Sequence, residues 1–243
     1  MIKNVTDYLK DAYGGTFEEN VKTVLNRYFD SDCAGKRWNQ IVEKYSELFQ
    51  KQNISEEDED AVYYILPSVA VYRVLEESGA SEKGAACSDD KACVAAPENK
   101  FTCTPDTRVS DNSSNGASCF DALSIFREIY FIDGQRGHDY LVNRFREDEA
   151  FLKGFPQDFL RTVGEEKCEV ISDTPEYTEF HVKSCRFLEL TKELGCPEIC
   201  SVFCDLDTLM YTNMHPKLSY NRDKTLYAGH DCCNFSMRYV EKE

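Results

Sequence analysis

No stretch of the 243 residues approaches the run of about 20 apolar residues that a membrane-spanning helix needs. Cationic side chains are also scarce, since Lys and Arg total 28 against 44 Asp and Glu, which gives a formal net charge of −16. A surface that binds nucleic acid or anionic lipid needs clustered cations. We therefore expect a soluble protein that binds neither nucleic acid nor membrane.

An export signal is missing as well. The N-terminal residues MIKNVTDYLKDAYGG lack the basic region, the apolar stretch and the small-residue cleavage site of a secretory signal. This absence predicts a cytoplasmic location. In a reducing cytosol the twelve cysteines are expected to be core thiols, metal ligands or reactive groups, and not a disulfide framework.

Several familiar catalytic motifs are absent from the chain. It has no CxxC pair, no glycine-rich phosphate loop, no HExxH motif and no serine nucleophile elbow. Any chemistry must therefore come from a less common arrangement of side chains.

A helical N-terminal part, residues 1–81, is predicted by apolar residues that recur at helical spacing. One such stripe consists of Val21, Val24, Leu25 and Tyr28, and a second lies within residues 38–49. A further helix is predicted to begin at Ser55, which precedes five acidic residues, and to end at Gly79.

Residues 82–118 differ sharply in composition, with one aromatic residue and many small polar ones. Such a segment cannot bury enough apolar surface to offset its ordering entropy, so we predict a loop insertion. The cysteines in and beside it are Cys87, Cys93, Cys103 and Cys119. Their spacing matches no common zinc pattern, which favours free thiols over a zinc knuckle or a disulfide clamp.

Residues 119–243 begin with helices, the last of which is predicted to be interrupted at Pro156. The pattern then indicates two strands, a short helix that stops at Gly195 and a helix opened by Pro197. Two further strands are predicted around a turn at Gly229. Helices first and a small antiparallel sheet with helices last predict an α+β fold, which we expect to form one globular domain overall.

Thiols, carboxylates and an imidazole fall close together in the C-terminal part. Cys196, Cys200, Cys204 and Asp207 share one helical stripe. His230 and Cys233 follow the glycine turn. Such a set is sufficient for proton transfer or nucleophilic attack, and its sulfur atoms could also bind a soft metal.

Simpler interpretations compete with these. Cys196 and Cys200 are expected to pack in the core as small apolar side chains, and His230 to be a turn residue. For Cys204 and Cys233, core packing and chemistry are equally favoured. Asp207 would be costly if it were buried without a partner, so it should be exposed or paired, with Arg222 as a candidate.

The segments CRFLELTKELGCPEICSVFCDLDTLMY and YNRDKTLYAGHDCCNFSM resemble the L-2-amino-thiazoline-4-carboxylic acid hydrolase family. The residues that carry the resemblance are Cys185, Gly195, Cys204, Asp207, Arg222, Thr225, Leu226, Gly229, Cys233 and Phe235. The upstream segment LPSVAVYRVLEESG is similar to a helical segment of the family, so the resemblance covers about residues 60–80 and 175–240. Asn234, where the family has an acid, and the 82–118 insertion are departures that point to a changed substrate.

The resemblance implies a hydrolase that opens a small C–N/C–S ring, such as 2-aminothiazoline-4-carboxylate to N-carbamoyl-cysteine. The expected roles are a base (Asp207 or His230), a nucleophile or proton donor (Cys204 and Cys233), a carboxylate clamp (Arg222) and further substrate contacts (Cys185 and Thr225). No cofactor is expected, although a thiolate-bound metal is an alternative. The partner is a small-molecule substrate, and a homo-oligomer is left open.

A non-enzymatic function is the main rival. The strand, helix, helix, strand order also resembles small-molecule-binding sensor domains, in which Cys185, Cys204 and Cys233 would line a ligand pocket or a structural metal site. No basic helix-turn-helix is attached, which counts against a transcriptional sensor. An enzyme-like scaffold without activity is a third interpretation.

Overall fold

The computed structural model describes residues 5–52, 58–82, 121–163 and 167–241. The predicted helix start at Ser55 and nearly all of the predicted 82–118 insertion, with its cysteines, lie outside these residues. None of the helices in the described ranges has the length and apolarity that crossing a bilayer requires.

Helices dominate the described chain. They are α1 (Val5–Asp11), α2 (Phe17–Tyr28), α3 (Ser31–Gln52), α4 (Leu66–Glu82), α5 (Ala122–Glu147), α6 (Glu149–Val163), α7 (Arg186–Glu193) and α8 (Cys200–Tyr211). Short 3₁₀ turns at Ala12–Gly15 and Pro197–Ile199 and a π-helical turn at Asp60–Ile65 precede α2, α8 and α4.

Four strands form one antiparallel sheet. They are β1 (Glu169–Thr174), β2 (Tyr177–Val182), β3 (Leu218–Asn221) and β4 (Cys233–Tyr239), in the order β1-β2-β4-β3. In the central pair Phe180 lies opposite Phe235 and Val182 opposite Cys233. The predicted α+β fold is thus confirmed, with the strands where the period-two alternation predicts them.

Two apolar clusters hold these elements together. The larger joins α1 to α5 with α7 and the start of α8, and contains the predicted stripe residues Val21, Val24 and Leu25, all fully buried. Tyr28, the fourth residue of that stripe, is 39% exposed, because its hydroxyl donates a hydrogen bond to Glu128 at the surface. The smaller cluster packs α6 and the end of α5 on one face of the sheet.

Two predicted helix breaks are wrong. Helix α4 continues through Gly79 to Glu82, because one glycine inside a helix costs only about 1 kcal/mol and does not stop the hydrogen-bond ladder. Helix α6 continues through Pro156, although proline removes one ladder bond. Pro156 is buried, and burial of its neighbours Phe155 and Phe159 in the smaller cluster offsets that loss.

The chain ends α7 where the glycine predicts. Gly195 follows the helix with φ of +72°, a left-handed conformation that glycine adopts without strain. Its N–H donates to the Lys192 carbonyl at 3.0 Å, and the next N–H, of Cys196, donates to Thr191 at 2.9 Å. These bonds turn the chain sharply, so that Pro197 can open the 3₁₀ turn that leads into α8.

Helix α8 lies directly on α5 because two glycines of α5 leave room for it. A Cβ added at Gly134 would overlap Leu206 Cδ1 and lie 3.1 Å from Leu209 Cδ2. A Cβ at Gly137, one turn later, would lie 3.1 Å from Met210 Cε. This close crossing fixes where the functional side chains of α8 sit.

Gly134→Val is expected to lower the free energy of unfolding by about 1–3 kcal/mol, because the side chain overpacks the α5–α8 contact. Gly154→Val in α6 is the matched control, since a Cβ there meets nothing within 4 Å. It should change the free energy by less than about 0.5 kcal/mol. Urea unfolding of both variants measures this, and equal destabilisation would contradict the close crossing.

Candidate functional site

A cavity of about 410 Å³ lies where α5, α7 and α8 meet the end of the sheet. Most of its lining is aromatic or aliphatic. The lining residues are Tyr13, Tyr64, Asp133, Gly134, Val163, Val182, Cys185, Phe187, Cys200, Phe203, Cys204, Leu206, Asp207, Met210, Arg222, Cys233 and Phe235. An enclosure of this size and character is typical of small-molecule sites.

Five of the seven residues to which the sequence analysis gave expected roles line this cavity together. They are Cys185, Cys204, Asp207, Arg222 and Cys233. They come from the start of α7, from α8, from the segment after β3 and from β4. The sheet order places β4 beside both β2 and β3, which brings these separate segments to one end of the sheet.

Asp207 and Arg222 form an ion pair across the cavity wall. Arg222 Nη1 donates to Asp207 Oδ2 at 2.7 Å. The arginine side chain is only 5% exposed, whereas the aspartate side chain is 42% exposed and lines the cavity. The partner that the sequence suggested for this acid is therefore present.

The surroundings of Asp207 raise the pKa of its carboxyl in spite of this cation. Burial raises the pKa of Asp207 to about 6, and the attraction and hydrogen bond of Arg222 only partly oppose that effect. A carboxyl group with a pKa close to neutrality can both accept and release a proton under physiological conditions.

The guanidinium of Arg222 is held mainly by α8. Besides Asp207, it donates to the backbone carbonyl of Cys204 at 2.5 Å and to Thr208 Oγ1 at 3.1 Å. It also lies 5.3 Å from the ring centroid of Phe235, within range of a cation–π interaction. Arg222 thus connects the last turns of α8 to the end of β3. A carboxylate of the substrate would have to compete with these bonds for the guanidinium.

Three thiols contact one another beside this pair. The Cys200 thiol is in hydrogen-bond contact with those of Cys185 and Cys204. Its role as donor raises the pKa of Cys200 well above that of a free thiol, since losing the proton would break these bonds. A thiol carries one proton, so Cys200 can donate to only one of its neighbours at a time.

The two acceptors are correspondingly acidic. The hydrogen bond from Cys200 lowers the pKa of Cys185 to about 7, and the backbone N–H groups of Leu188 and Phe187 at the start of α7 add to it. The same donor lowers the pKa of Cys204, with a further contribution from Arg222. The Cys185 thiolate is thus accessible near neutral pH at the cavity wall.

Cys233 and Cys196 behave differently. Burial raises the pKa of each to about 11, although Cys233 Sγ accepts a hydrogen bond from Leu226 N at 3.2 Å. Cys196 is buried and is not one of the cavity residues, in keeping with core packing. Cys200 is equally buried but lines the cavity, so packing alone does not describe it.

His230 and Thr225 stabilise a surface turn and are not among the cavity residues. The Nδ1 atom of the exposed His230 lies 3.2 Å from the carbonyl oxygen of Thr225, and Thr225 Oγ1 accepts a bond from Ala228 N at 3.1 Å. The interpretation of His230 as a turn residue fits this geometry, and the alternative role as a base has no support in it.

Asn234, the departure from the family pattern, also has a local role. Its Oδ1 accepts bonds from the N–H groups of Asp223 at 3.2 Å and Lys224 at 2.7 Å, while its amide nitrogen donates to the Asp223 carboxylate. A carboxylate could accept the first two bonds but could not donate the third. The asparagine can therefore bond both to the two backbone N–H groups and to the Asp223 carboxylate, which an acid at this position could not do.

Other cavity residues were missed by the sequence analysis. Tyr13 has φ of 52°, and its hydroxyl bonds to Ser68 Oγ at 2.8 Å and to the Tyr64 carbonyl at 3.1 Å. Asp133 Oδ1 accepts bonds from Thr16 Oγ1 and Arg136 Nη1, both at 3.0 Å. Only the glycine pair after Tyr13 signals a special turn in the sequence, and nothing in the spacing connects that turn to Asp133.

The thiolate-bound metal stays a prediction. Over the ranges that the structure describes, no group of three or more His, Cys, Asp or Glu residues is placed so that it could hold a metal ion.

Comparison with known proteins gives a match in the C-terminal half of the chain. Residues 123–237 match the family model of L-2-amino-thiazoline-4-carboxylic acid hydrolase. No curated protein and no solved structure is significantly similar to the chain. The match confirms the resemblance over a segment of slightly less than half the chain and contains every cavity residue except Tyr13 and Tyr64. The proposed resemblance of residues 60–80 lies outside it and stays a prediction.

Alkylation of Cys185 by iodoacetamide is expected to rise with a midpoint near pH 7, because the thiolate is the reactive form. Peptide mass spectrometry separates it from the other cysteines. Cys200→Ala removes the donor and should move this midpoint towards the free-cysteine value of about 8.5. Cys232→Ala, a buried thiol outside the cavity lining, should leave it unchanged. A wild-type midpoint at or above the free value would contradict the donor role of Cys200.

Proposed function

We propose that this chain is a hydrolase that opens a small ring containing a carbon between nitrogen and sulfur, as in a cyclic isothiourea. The observation that carries the proposal is the Asp207 carboxylate, held by Arg222 at the wall of an apolar cavity beside a cluster of thiols. The family resemblance over residues 123–237 supports a hydrolytic reaction. The identity of the ring that the enzyme opens is also part of this proposal.

Asp207 acts as the general base in this reaction. It takes a proton from a water molecule, whose oxygen attacks the carbon between nitrogen and sulfur. Its pKa of about 6 leaves the carboxylate mostly ionised at neutral pH yet basic enough to accept the proton. Arg222 is a positioning residue, since its bonds to Asp207 and to the Cys204 carbonyl fix the carboxylate on α8.

A thiol supplies the proton that the leaving group needs. When the carbon–sulfur bond breaks, the sulfur leaves as a thiolate and must be protonated. Cys204 lies one helical turn before Asp207 and lines the same cavity, and the Cys200 thiol contacts those of both Cys204 and Cys185. For 2-aminothiazoline-4-carboxylate, the addition of one water gives N-carbamoyl-cysteine, with its carbonyl oxygen from water and its thiol from the ring sulfur.

A binding domain without turnover is the second candidate. The apolar lining of the cavity and the commitment of Arg222 to α8 favour ligand binding as much as catalysis. The two candidates differ in one observable property, because only the enzyme releases a free thiol from the ring. Measuring whether the protein and the variants below release a free thiol from the ring therefore separates the enzyme from the binding domain.

Asp207→Asn is expected to lower the ring-opening rate by about 10²–10⁴-fold, because the amide keeps the shape but cannot accept a proton. Product formation from 2-amino-2-thiazoline and from its 4-carboxylate measures the rate per folded molecule. Asp205→Asn is the matched control. Asp205 is two residues away on α8, pairs with Arg127 at 2.6 Å and does not line the cavity, so this variant should keep the wild-type rate. A wild-type rate with a lowered melting temperature in Asp207→Asn would assign Asp207 to the scaffold.

The pH dependence of kcat/KM provides an independent measurement. Below a pH of about 6 the carboxyl of Asp207 is protonated and inactive as a base, so kcat/KM should rise about tenfold per pH unit and level off above that value. This acidic limb, the rise of kcat/KM up to a pH of about 6, should be absent from the residual activity of Asp207→Asn. A limb that persists in this variant would identify another group as the base.

A further inference from the structure

The charged side chains that line the cavity offer a ligand more hydrogen-bond acceptors than donors, although Asp133 is ion-paired with Arg136 and Asp207 with Arg222. The charged lining residues are Asp133, Asp207 and Arg222. Arg222 is the cation of this set, and it is 5% exposed and already bonded to three acceptors on α8. Among the described lining residues, therefore, no cation is left to receive a carboxylate of a ligand.

The two acids retain capacity for a ligand. Arg222 contacts only Oδ2 of Asp207, and the side chain of this aspartate remains 42% exposed. In Asp133, Oδ1 accepts both the Thr16 and the Arg136 bonds, and the side chain is 21% exposed. Each carboxylate can accept about four hydrogen bonds through its two oxygens. A ligand with N–H donors and a positive charge therefore finds acceptors in this cavity.

Aromatic rings reinforce the same preference. Phe187 and Phe203 lie edge to face with centroids 4.7 Å apart, and Phe235 and Tyr13 complete the aromatic part of the lining. The face of an aromatic ring attracts a cation. The same surfaces, together with Val163, Leu206 and Met210, favour an apolar substituent.

Volume gives the second constraint. The cavity of about 410 Å³ falls in the range that holds drug-sized ligands. A single five-membered ring with one amino and one carboxylate group is far smaller and would leave most of the apolar wall uncovered. A ligand that fills the cavity has to carry an additional apolar group.

We propose that the substrate is a cationic cyclic amidine or isothiourea that carries an aromatic or alkyl group and no carboxylate, with its N–H donors bound by Asp207. This inference rests on the proposed function for the reaction, but not for the charge and size of the ligand. Protonation of the ring also makes the carbon between nitrogen and sulfur more electrophilic. The charge that binds the substrate therefore assists the attack of water as well.

Three probes of nearly the same shape test the charge preference without any turnover. Benzamidine is cationic, benzamide neutral and benzoate anionic at neutral pH. Calorimetric titration of the full chain should give benzamidine a Kd at least about tenfold lower than that of benzoate, with benzamide between them. Benzoate binding as tightly as benzamidine, or no binding of benzamidine at millimolar concentration, would overturn the proposal without recourse to any variant.

A variant tests whether Asp207 is the residue that gives the cavity its preference for a cation. Asp207→Asn should weaken benzamidine binding by about tenfold and change benzamide binding much less, because it removes the negative charge that attracts the amidinium, besides the charge that pairs with Arg222. Asp205→Asn should leave all three affinities unchanged, since that acid lies outside the cavity lining. An unchanged benzamidine affinity in a folded Asp207→Asn protein would overturn the assignment to Asp207.

Turnover then separates this inference from the proposed function. The cationic 2-amino-2-thiazoline with a phenyl substituent should be opened with a higher kcat/KM than 2-aminothiazoline-4-carboxylate. If the protein binds benzamidine as expected but opens neither ring, the proposed function fails and the charge preference stands. If the carboxylate is the better substrate, the inference fails and the hydrolase proposal stands.

Discussion

The ion pair between Asp207 and Arg222 is the contact on which the geometry of the cavity depends. It connects α8, which carries most of the reactive side chains, to the segment that follows β3. A cation that is 5% exposed is stable only when its donors are satisfied, and here the aspartate, a backbone carbonyl and a threonine hydroxyl satisfy them. These bonds give α8 a fixed position relative to the end of the sheet.

The same pair sets the chemical character of the site through two opposing effects. Burial favours the neutral form of the carboxyl, and the guanidinium favours the charged form. Burial is the larger effect, and it raises the pKa to about 6. In the thiol cluster, too, a neighbouring group sets the pKa, because the hydrogen bond from Cys200 lowers the pKa of the thiol that accepts it, Cys185 or Cys204. Proton-transfer groups of both kinds are thus available within one cavity.

How much of this the sequence predicted depends on the range of the interactions involved. Local periodicity predicted the helices and strands, and the cost of burying an unpaired acid led to Arg222 as the partner of Asp207. The predicted end at Gly79 was wrong because a single glycine only weakly disfavours a helix, and the predicted interruption at Pro156 was wrong because burial of the surrounding side chains outweighed the lost hydrogen bond. Tyr13 and Asp133 were missed because their place at the cavity depends on contacts between α5 and the turn before α2, which no spacing pattern encodes.

The wall of the cavity has two sources in the chain. The acid, the arginine and the thiols all lie within the segment that resembles the hydrolase family, whereas Tyr13 and Tyr64 come from the helices that precede it. Most of the lining therefore comes from one stretch of sequence, and two tyrosines from another complete it. Substitutions at Tyr13 or Tyr64 can change the shape of one part of the cavity wall while the carboxylate, the guanidinium and the thiols stay in place.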